Sequence, residues 1–233
     1  METGVKISTL LGMPLILLPF ITAIVIFVRR SFKSEVSNLL MMLSCLLFAQ
    51  QLLTFFIEFN ENTQRFFHAL FNTAEIALLV LLFRCSIANS RYKYWLNYVL
   101  VAYVAASVTL HFTQNSPAYL FSLKITEAVL LVLLSLFTLF VLISNKYIFI
   151  FQSALFWIAG GTWFYYSMVI LCEWLDKNHF FNNTGNEKEI LLGVFATLRM
   201  IMYLVAALIK GSDHYEEVWK NFKESSEEYL TKK

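Results

Sequence analysis

Long apolar runs separated by short polar segments form the main pattern of the chain. The runs cover seven stretches: 8–28, 36–58, 66–84, 93–112, 118–143, 148–174 and 188–210. Each is close to the roughly 20 residues that an α-helix needs to cross the hydrocarbon core of a bilayer. The strands of a membrane β-barrel would be half as long and would alternate polar with apolar residues. The sequence therefore predicts an all-α fold, an integral membrane bundle of seven transmembrane helices.

Composition and segment lengths indicate a single membrane domain. Of the 233 residues 58% are hydrophobic and 15% are charged, whereas about a quarter of the residues of a soluble domain are charged. The polar connections are too short for a second domain, so we expect residues 1–211 to form the bundle and residues 212–233 a separate tail. A net charge of +2 gives no reason to expect a nucleic-acid partner.

The basic residues predict how the bundle is oriented. Seven of them follow the first, third and fifth spans: Arg29, Arg30, Lys33, Arg84, Arg91, Lys93 and Lys146. The opposite side, with the N-terminus, has four: Lys6, Arg65, Lys177 and Lys188. Because Lys and Arg are retained on the cytoplasmic side, the N-terminus should lie outside and the C-terminus in the cytoplasm. The predicted location is the cell (inner) membrane, with multiple passes.

The C-terminal tail has the pattern of a short amphipathic helix. Tyr215, Val218, Trp219 and Phe222 recur at helical spacing, with charged residues on the other faces. Such a helix can lie on the inner membrane surface and anchor the last span. Alternatively, it docks a cytoplasmic signalling partner. Both interpretations stay open at this point.

We single out five ionisable residues inside the predicted spans: His68, Glu75, Lys124, Glu127 and Arg199. Each costs roughly 2.5–3.5 kcal/mol on insertion scales, and such residues usually mark function. At a rise of about 1.5 Å per residue, Glu75, Glu127 and Arg199 lie about 13–17 Å from the outer helix ends, near the membrane midplane.

Helical spacing arranges these residues on shared faces. His68, Asn72 and Glu75 fall on one face of the third span, and Lys124 and Glu127 on one face of the fifth. We therefore predict a buried network between spans three, five and seven, in which Glu75 and Glu127 neutralise Lys124 and Arg199. Three further acidic residues are predicted to meet water at the outer helix ends: Glu58, Glu173 and Asp176. The alternative is that the charges only hold the helices in register.

Other polar residues concentrate in the outer halves of the spans. Gln50 and Gln51 lie in span two, and Trp163 and Tyr166 in span six, where only one of the adjacent Tyr165 and Tyr166 is expected to face inward. The inner stretches 78–83 and 129–143 are almost entirely apolar. This asymmetry predicts an outward-facing polar cup for a small-molecule ligand, formed by spans two, three, five, six and seven.

Each member of the cup also has a simpler interpretation. The two glutamines can serve helix–helix hydrogen bonding, and Trp163, the tyrosines and His68 can belong to an interfacial belt. The glycine pair at 160–161 is typical of close helix packing more often than of a hinge.

Several catalytic and cofactor classes do not fit the sequence. The four histidines, His68, His111, His179 and His214, fall in different segments without metal-ligand spacing, so no metal site and no cofactor are predicted. No Ser or Cys has an evident histidine base at a compatible depth for nucleophilic catalysis. An enzyme is the least favoured class.

In span count and orientation the chain resembles bacterial seven-helix membrane sensor and receptor modules, and also rhodopsins. Arg199 stands where a rhodopsin has its Schiff-base lysine, and an arginine cannot form that linkage, so retinal is not predicted. The resemblance implies a receptor that signals through a separate cytoplasmic partner. Two alternatives remain: a proton-coupled small-solute transporter using Glu75 and Glu127, and a non-catalytic accessory membrane subunit.

Overall fold

The computed structural model describes residues 2–29, 34–56, 61–87, 90–113, 117–144, 150–178, 180–181 and 186–209. These residues form seven α-helices and no strand, which confirms the all-α prediction. The helices are α1 (Glu2–Val28), α2 (Glu35–Phe56), α3 (Glu61–Arg84), α4 (Ser90–Thr113), α5 (Pro117–Ser144), α6 (Ala154–Lys177) and α7 (Asn186–Leu208). The predicted amphipathic helix at 212–233 lies outside the described residues.

At their C-terminal ends, six of the seven predicted runs agree with the helices to within two residues. The starts agree less well: α1 and α3 begin six and five residues before the predicted positions, and α6 begins six residues after its predicted position. The sixth run was predicted from residue 148, but a 3₁₀ turn occupies Ile150–Gln152 and α6 begins at Ala154. Ser153 precedes the helix with extended backbone (φ −91°, ψ 122°). Hydrophobicity alone could not reveal this turn, because Ile150 and Phe151 are as apolar as the helix that follows.

Within the described ranges, four helices have stretches long and apolar enough to cross a membrane: Glu35–Thr54, Lys124–Ser144, Ala154–Lys177 and Glu187–Leu208. The stretch Gly12–Val28 of α1 is a shorter apolar segment. Large apolar side chains also cover much of the outer surface of the helices; Phe140 is 68% exposed. Such a surface suits lipid better than water. These features indicate a membrane protein.

Six helices form a closed ring in the order α1, α2, α3, α5, α6, α7, with α7 packed back on α1. Helix α4 lies outside this ring, mainly against α3, which also contacts α6. Helix α3 therefore packs against four other helices: α2, α4, α5 and α6. It contributes to two of the polar clusters described below.

Contacts between helix ends define the two ends of the bundle. Arg29, after the last turn of α1, donates hydrogen bonds to the carbonyls of Ala207 (3.4 Å) and Leu208 at the end of α7. A cation there interacts favourably with the helix dipole. Arg84 of α3 donates to Asn97 Oδ1 of α4 (2.9 Å). We call this side the arginine end and the opposite side, with Lys124 and Lys188, the lysine end.

The half of the bundle nearer the arginine end has an apolar interior. Its fully buried side chains include Leu40, Leu43, Leu79, Leu82, Phe83, Leu131 and Leu142. The buried hydroxyls of Ser135 and Thr138 donate to carbonyls of their own helix, at 2.9 Å each. The Thr138 hydroxyl also shares a 3.4 Å hydrogen bond with that of Ser86. The interior of this half is thus mainly apolar, in keeping with the apolar inner half that the sequence predicts.

Candidate functional site

A buried ion pair joins α3 to α7. Arg199 Nη1 lies 2.5 Å from Glu75 Oε1, and the two side chains are only 5% and 7% exposed. Charge-assisted hydrogen bonds of this kind are roughly twice as strong as neutral ones. The pair brings together two of the residues that the sequence predicts to neutralise each other.

Aromatic rings surround this ion pair. The Tyr166 hydroxyl donates to Glu75 Oε1 at 3.0 Å. The guanidinium carbon of Arg199 lies 4.1 Å from the ring centre of Tyr165, 5.7 Å from that of Tyr166 and 5.9 Å from that of Tyr203. All three distances fall within the roughly 6 Å range of cation–π attraction. Arg199 Nε is buried and has no hydrogen-bond partner among the described residues.

The expectation that only one of the two adjacent tyrosines faces inward is wrong. Tyr165 and Tyr166 both contact Arg199, and their rings lie 5.0 Å apart at an angle of 80°. Arginine has a long side chain, so its guanidinium can lie between two residues that point about 100° apart around α6. Tyr203 is the third ring near the Arg199 guanidinium. Its hydroxyl shares a 2.9 Å hydrogen bond with that of Thr162.

A second cluster surrounds Glu127 where α3, α4 and α5 meet. Asn72 Nδ2 donates to Glu127 Oε2 at 2.7 Å, and the Tyr103 hydroxyl donates to Oε1 at 2.5 Å. Beside them Thr73 and Ser107 share a hydrogen bond of 2.9 Å between α3 and α4. Glu127 is 6% exposed. Within the described part of the chain it forms no ion pair.

The predicted neutralisation of Glu127 by Lys124 is therefore not seen. Lys124 instead lies 2.6 Å from Glu173 Oε1 of α6. Helical side chains lean toward the N-terminus of their helix, and for α5 this direction leads away from Glu127 and toward the lysine end. Sharing a helix face was not sufficient to pair them.

A third cluster lies at the lysine end. Lys188 lies 3.0 Å from Glu173 Oε2 and 2.7 Å from Asp176 Oδ2, so the two lysines and two acids connect α5, α6 and α7. Glu173 was predicted to meet water, but its side chain is only 7% exposed. The two lysines cover it and satisfy both of its oxygens. Asp176 is half exposed, and Glu58 lies outside the described residues.

The remaining predicted site residues do not join these clusters in the structure. Gln50 and Gln51 are half-buried in α2, and among the described side chains neither amide reaches Glu75 or Glu127. Trp163 is half-buried, with its ring 4.8 Å from that of Phe164. The side chain of His68 lies outside the described residues. Whether these residues contribute to a cup stays a prediction.

The glycine pair of α6 serves close helix packing. A Cβ at Gly160 would lie 3.0 Å from Met202 Cε, and one at Gly161 would lie 3.1 Å from Met202 Cβ and 3.4 Å from the Arg199 carbonyl oxygen. Both glycines are buried. Their missing side chains allow α7 to approach α6 closely enough for Arg199 to reach the tyrosines.

Sequence reasoning missed Tyr103, Lys188 and Thr162 as members of these clusters. One sign was available for Tyr103, since Ser107 follows it at i+4 and gives the fourth span a short polar face. Lys188 is predicted only as a basic residue at the outer start of the seventh span, and the structure has it half-buried near the start of α7. No pattern in the sequence indicates that it approaches Glu173.

Comparisons with protein-family models, with curated proteins and with solved structures find no match to the chain. Among the described residues, no group of three or more His, Cys, Asp and Glu side chains is placed to hold a metal ion. The three clusters of buried polar and charged groups are therefore the features that bear on function.

Proposed function

We propose that the chain is a seven-span membrane receptor whose ligand site opens at the lysine end and whose state is passed to a separate cytoplasmic partner. The observation that carries the proposal is the division of the interior into two halves. The Glu127 and Glu173 clusters lie toward the lysine end, and the Glu75–Arg199 pair lies near the middle of α3 and α7. Fully buried Leu79, Leu82 and Leu131 lie beyond them toward the arginine end. A ligand could thus reach polar groups from one side only, as a receptor requires.

The lengths of the helices support seven spans. The shortest α-helix has 22 residues, which gives about 33 Å at about 1.5 Å per residue, enough for a hydrocarbon core of about 30 Å. Helices α3 and α4 are less apolar than the others, but their inward polar residues have partners. In a bundle these helices can cross because the polar groups face protein rather than lipid.

The basic residues support an orientation with the arginine end in the cytoplasm. A reporter protein fused after Lys233 should then be active only in the cytoplasm. A cysteine in the connection at 178–186 should react with a membrane-impermeant reagent from outside intact cells. The opposite labelling pattern would place the charged clusters toward the cytoplasm and contradict an outward site.

Cysteine accessibility tests the outward site itself. We would replace Cys45, Cys85 and Cys172 by alanine and introduce single cysteines at Lys124, at Glu127 and, one helical turn deeper, at Leu131. A charged thiol reagent added from outside should modify the first two positions and leave the third unmodified. An unreactive cysteine at position 127 would contradict the cup.

A proton-coupled carrier is the second candidate, because Glu127 is a buried carboxylate with only neutral partners in the described residues. A carrier must at some stage wet a path to the cytoplasm. A cysteine at Thr138, which is fully buried near the arginine end, should react from the cytoplasmic side in a carrier but not in a receptor. If the cysteine at position 138 does not react with the reagent at any stage of a transport assay, the carrier is excluded.

The tail distinguishes signalling from a purely structural, accessory role. Deleting residues 213–233 should leave the helices folded, since the helices pack against one another and α7 packs back on α1. A receptor that docks its partner through the tail would lose its downstream response. If the response persists after deletion, the tail only anchors the last span.

A further inference from the structure

The charged groups of the three clusters pair with one another, with one exception among the described residues. Lys124 and Lys188 pair with Glu173 and Asp176 at the lysine end. Glu75 pairs with Arg199. Glu127 is left without a cation, although it is 6% exposed. A carboxylate kept from water without a counter-charge is destabilised, and it becomes stable by taking up a proton or binding a cation.

The local geometry favours a proton over a larger cation. Both oxygens of Glu127 already accept a hydrogen bond, one from Asn72 at 2.7 Å and one from Tyr103 at 2.5 Å. A metal ion or an organic ammonium group would have to displace these donors. A proton needs only a change in the direction of one hydrogen bond.

Tyr103 allows such a change, because a phenol hydroxyl both donates and accepts. When a proton taken from water binds Oε1, the carboxyl O–H can donate to the Tyr103 oxygen, and the phenol proton turns toward another acceptor. Ser107, one helical turn further along α4, offers a hydroxyl and is bonded to Thr73 at 2.9 Å. Asn72 continues to donate to Oε2, which is then the carbonyl oxygen.

Among the described side chains, few charged or titratable groups surround Glu127. Helix α3 faces it with Asn72 and Glu75, helix α4 with Tyr103, and its own helix contributes Lys124. On the adjoining helices the nearest ionisable groups are already engaged: Glu173 of α6 holds Lys124, Tyr166 of α6 bonds Glu75, and Arg199 of α7 pairs with Glu75. Glu75 therefore adds a like charge nearby, and Lys124 adds an opposite one.

We propose that Glu127 is a reversible proton-binding site and that its protonation loosens the attachment of α4 to the bundle. Helix α4 lies outside the ring of six helices, and the bond from Tyr103 ties it to α5. That bond is charge-assisted while Glu127 is ionised and weaker once the carboxyl is neutral. This inference holds for a receptor and for a carrier alike, because it concerns the bundle alone.

Infrared spectroscopy of the full-length protein in lipid nanodiscs tests proton binding directly. On acidification, the wild type should gain the C=O band of a buried protonated carboxyl, and Glu127→Gln should lack it. Asp176→Asn, which removes a half-exposed carboxylate, is the matched control and should retain the band. If the band persists in Glu127→Gln, the proton binds elsewhere and the proposal fails.

A second variant keeps the test decisive if Glu127→Gln does not fold. Tyr103→Phe retains the carboxyl but removes one donor that stabilises its ionised form. Proton affinity should rise about tenfold, so the midpoint of the band should move by about one unit to higher pH. A midpoint equal to that of the wild type would overturn the role of the Tyr103 bond.

The movement of α4 can be measured with spin labels on exposed positions. Cysteines at Val101 of α4 and Leu133 of α5, which are 67% and 62% exposed, would carry the labels in a background without the native cysteines. The distance between them should change with the same pH midpoint as the infrared band and stay constant in Glu127→Gln. A wild-type distance independent of pH would contradict the loosening of α4.

Discussion

Glu75 and Glu127 are equally buried, each 6% exposed, yet the bundle satisfies them by different means. Glu75 has a full counter-charge in Arg199 at 2.5 Å, reinforced by the Tyr166 hydroxyl. Among the described residues, Glu127 has only the Asn72 amide and the Tyr103 phenol as partners. The first arrangement fixes a charge in place, while the second leaves the carboxylate free to lose its charge. The difference separates a structural pair from a candidate switch within one interior.

The largest effect should follow from removing the counter-charge. Arg199→Leu leaves the Glu75 carboxylate buried and unpaired, which should lower the free energy of unfolding by roughly 3–5 kcal/mol. Adding Glu75→Gln should recover part of this loss, and adding Glu127→Gln should not. Thermal unfolding in detergent measures all three, with the exposed Leu198→Ala as the control. Equal rescue by both glutamines would mean that the two carboxylates share Arg199.

Removing the charge of each carboxylate separately tests the same difference between Glu75 and Glu127. Glu75→Gln removes the partner of a buried guanidinium and should destabilise the protein by about 3 kcal/mol. Glu127→Gln should cost about 1 kcal/mol or less, because its oxygen still accepts from Tyr103 and no cation is left unpaired. Unfolding midpoints of the two variants under one set of conditions decide the point. If Glu127→Gln is the less stable variant, the assignment of roles is reversed.

Substitution of the α6 glycines that pack against α7 should have an intermediate effect on stability. Gly161→Ala places a Cβ 3.1 Å from Met202 Cβ, which is fixed to its backbone, so α7 must move and carry Arg199 with it. We expect a loss of about 1–2 kcal/mol. Gly160→Ala meets only the flexible end of Met202 and should cost less, and Gly12→Ala, with nothing within 4 Å, should be neutral. A Gly161→Ala protein as stable as the Gly12→Ala control would show that α7 tolerates the shift.

The smallest effect is expected at the lysine end. Lys124 is 50% exposed, and exposed ion pairs contribute about 0–1 kcal/mol, so Lys124→Met should hardly change the unfolding temperature. Lys188→Met should cost more, because Lys188 is 20% exposed and contacts both Glu173 and Asp176. Comparing the two variants at low and at high salt checks this order. A larger loss for Lys124→Met would mean that α5, rather than α7, holds Glu173.

Helical spacing and depth were enough to predict the helices and part of the clusters. The apolar runs gave seven helices, and the spacing of Asn72 and Glu75 placed both on one face of α3. Charge complementarity selected Arg199 as a partner for a carboxylate, and it contacts Glu75. These predictions succeed because each uses only the geometry of a single helix or the free-energy cost of burying an unpaired charge.

The other partners depend on how helices pack, which no periodicity encodes. Tyr103 has an apolar ring that would suit lipid equally well, so its bond to Glu127 required knowing that α4 lies beside α5 at that level. Glu173 is four residues from the end of α6 and resembles a water-exposed helix terminus. Only the approach of Lys124 and Lys188 from two other helices buries it.

Helix α3 carries Asn72 and Glu75 one turn apart, and the two residues bind different neighbours, α5 and α7. A rotation or translation of α3 that lengthens one bond therefore changes the geometry of the other. By thermodynamic linkage, any event at Glu127 that alters the position of α3 alters the strength of the Glu75–Arg199 pair, and the reverse effect has the same magnitude. A double-mutant cycle between Asn72→Ala and Arg199→Leu would give this coupling free energy directly. Helix α3 would then act as the shared mechanical element through which two buried carboxylates influence each other without touching.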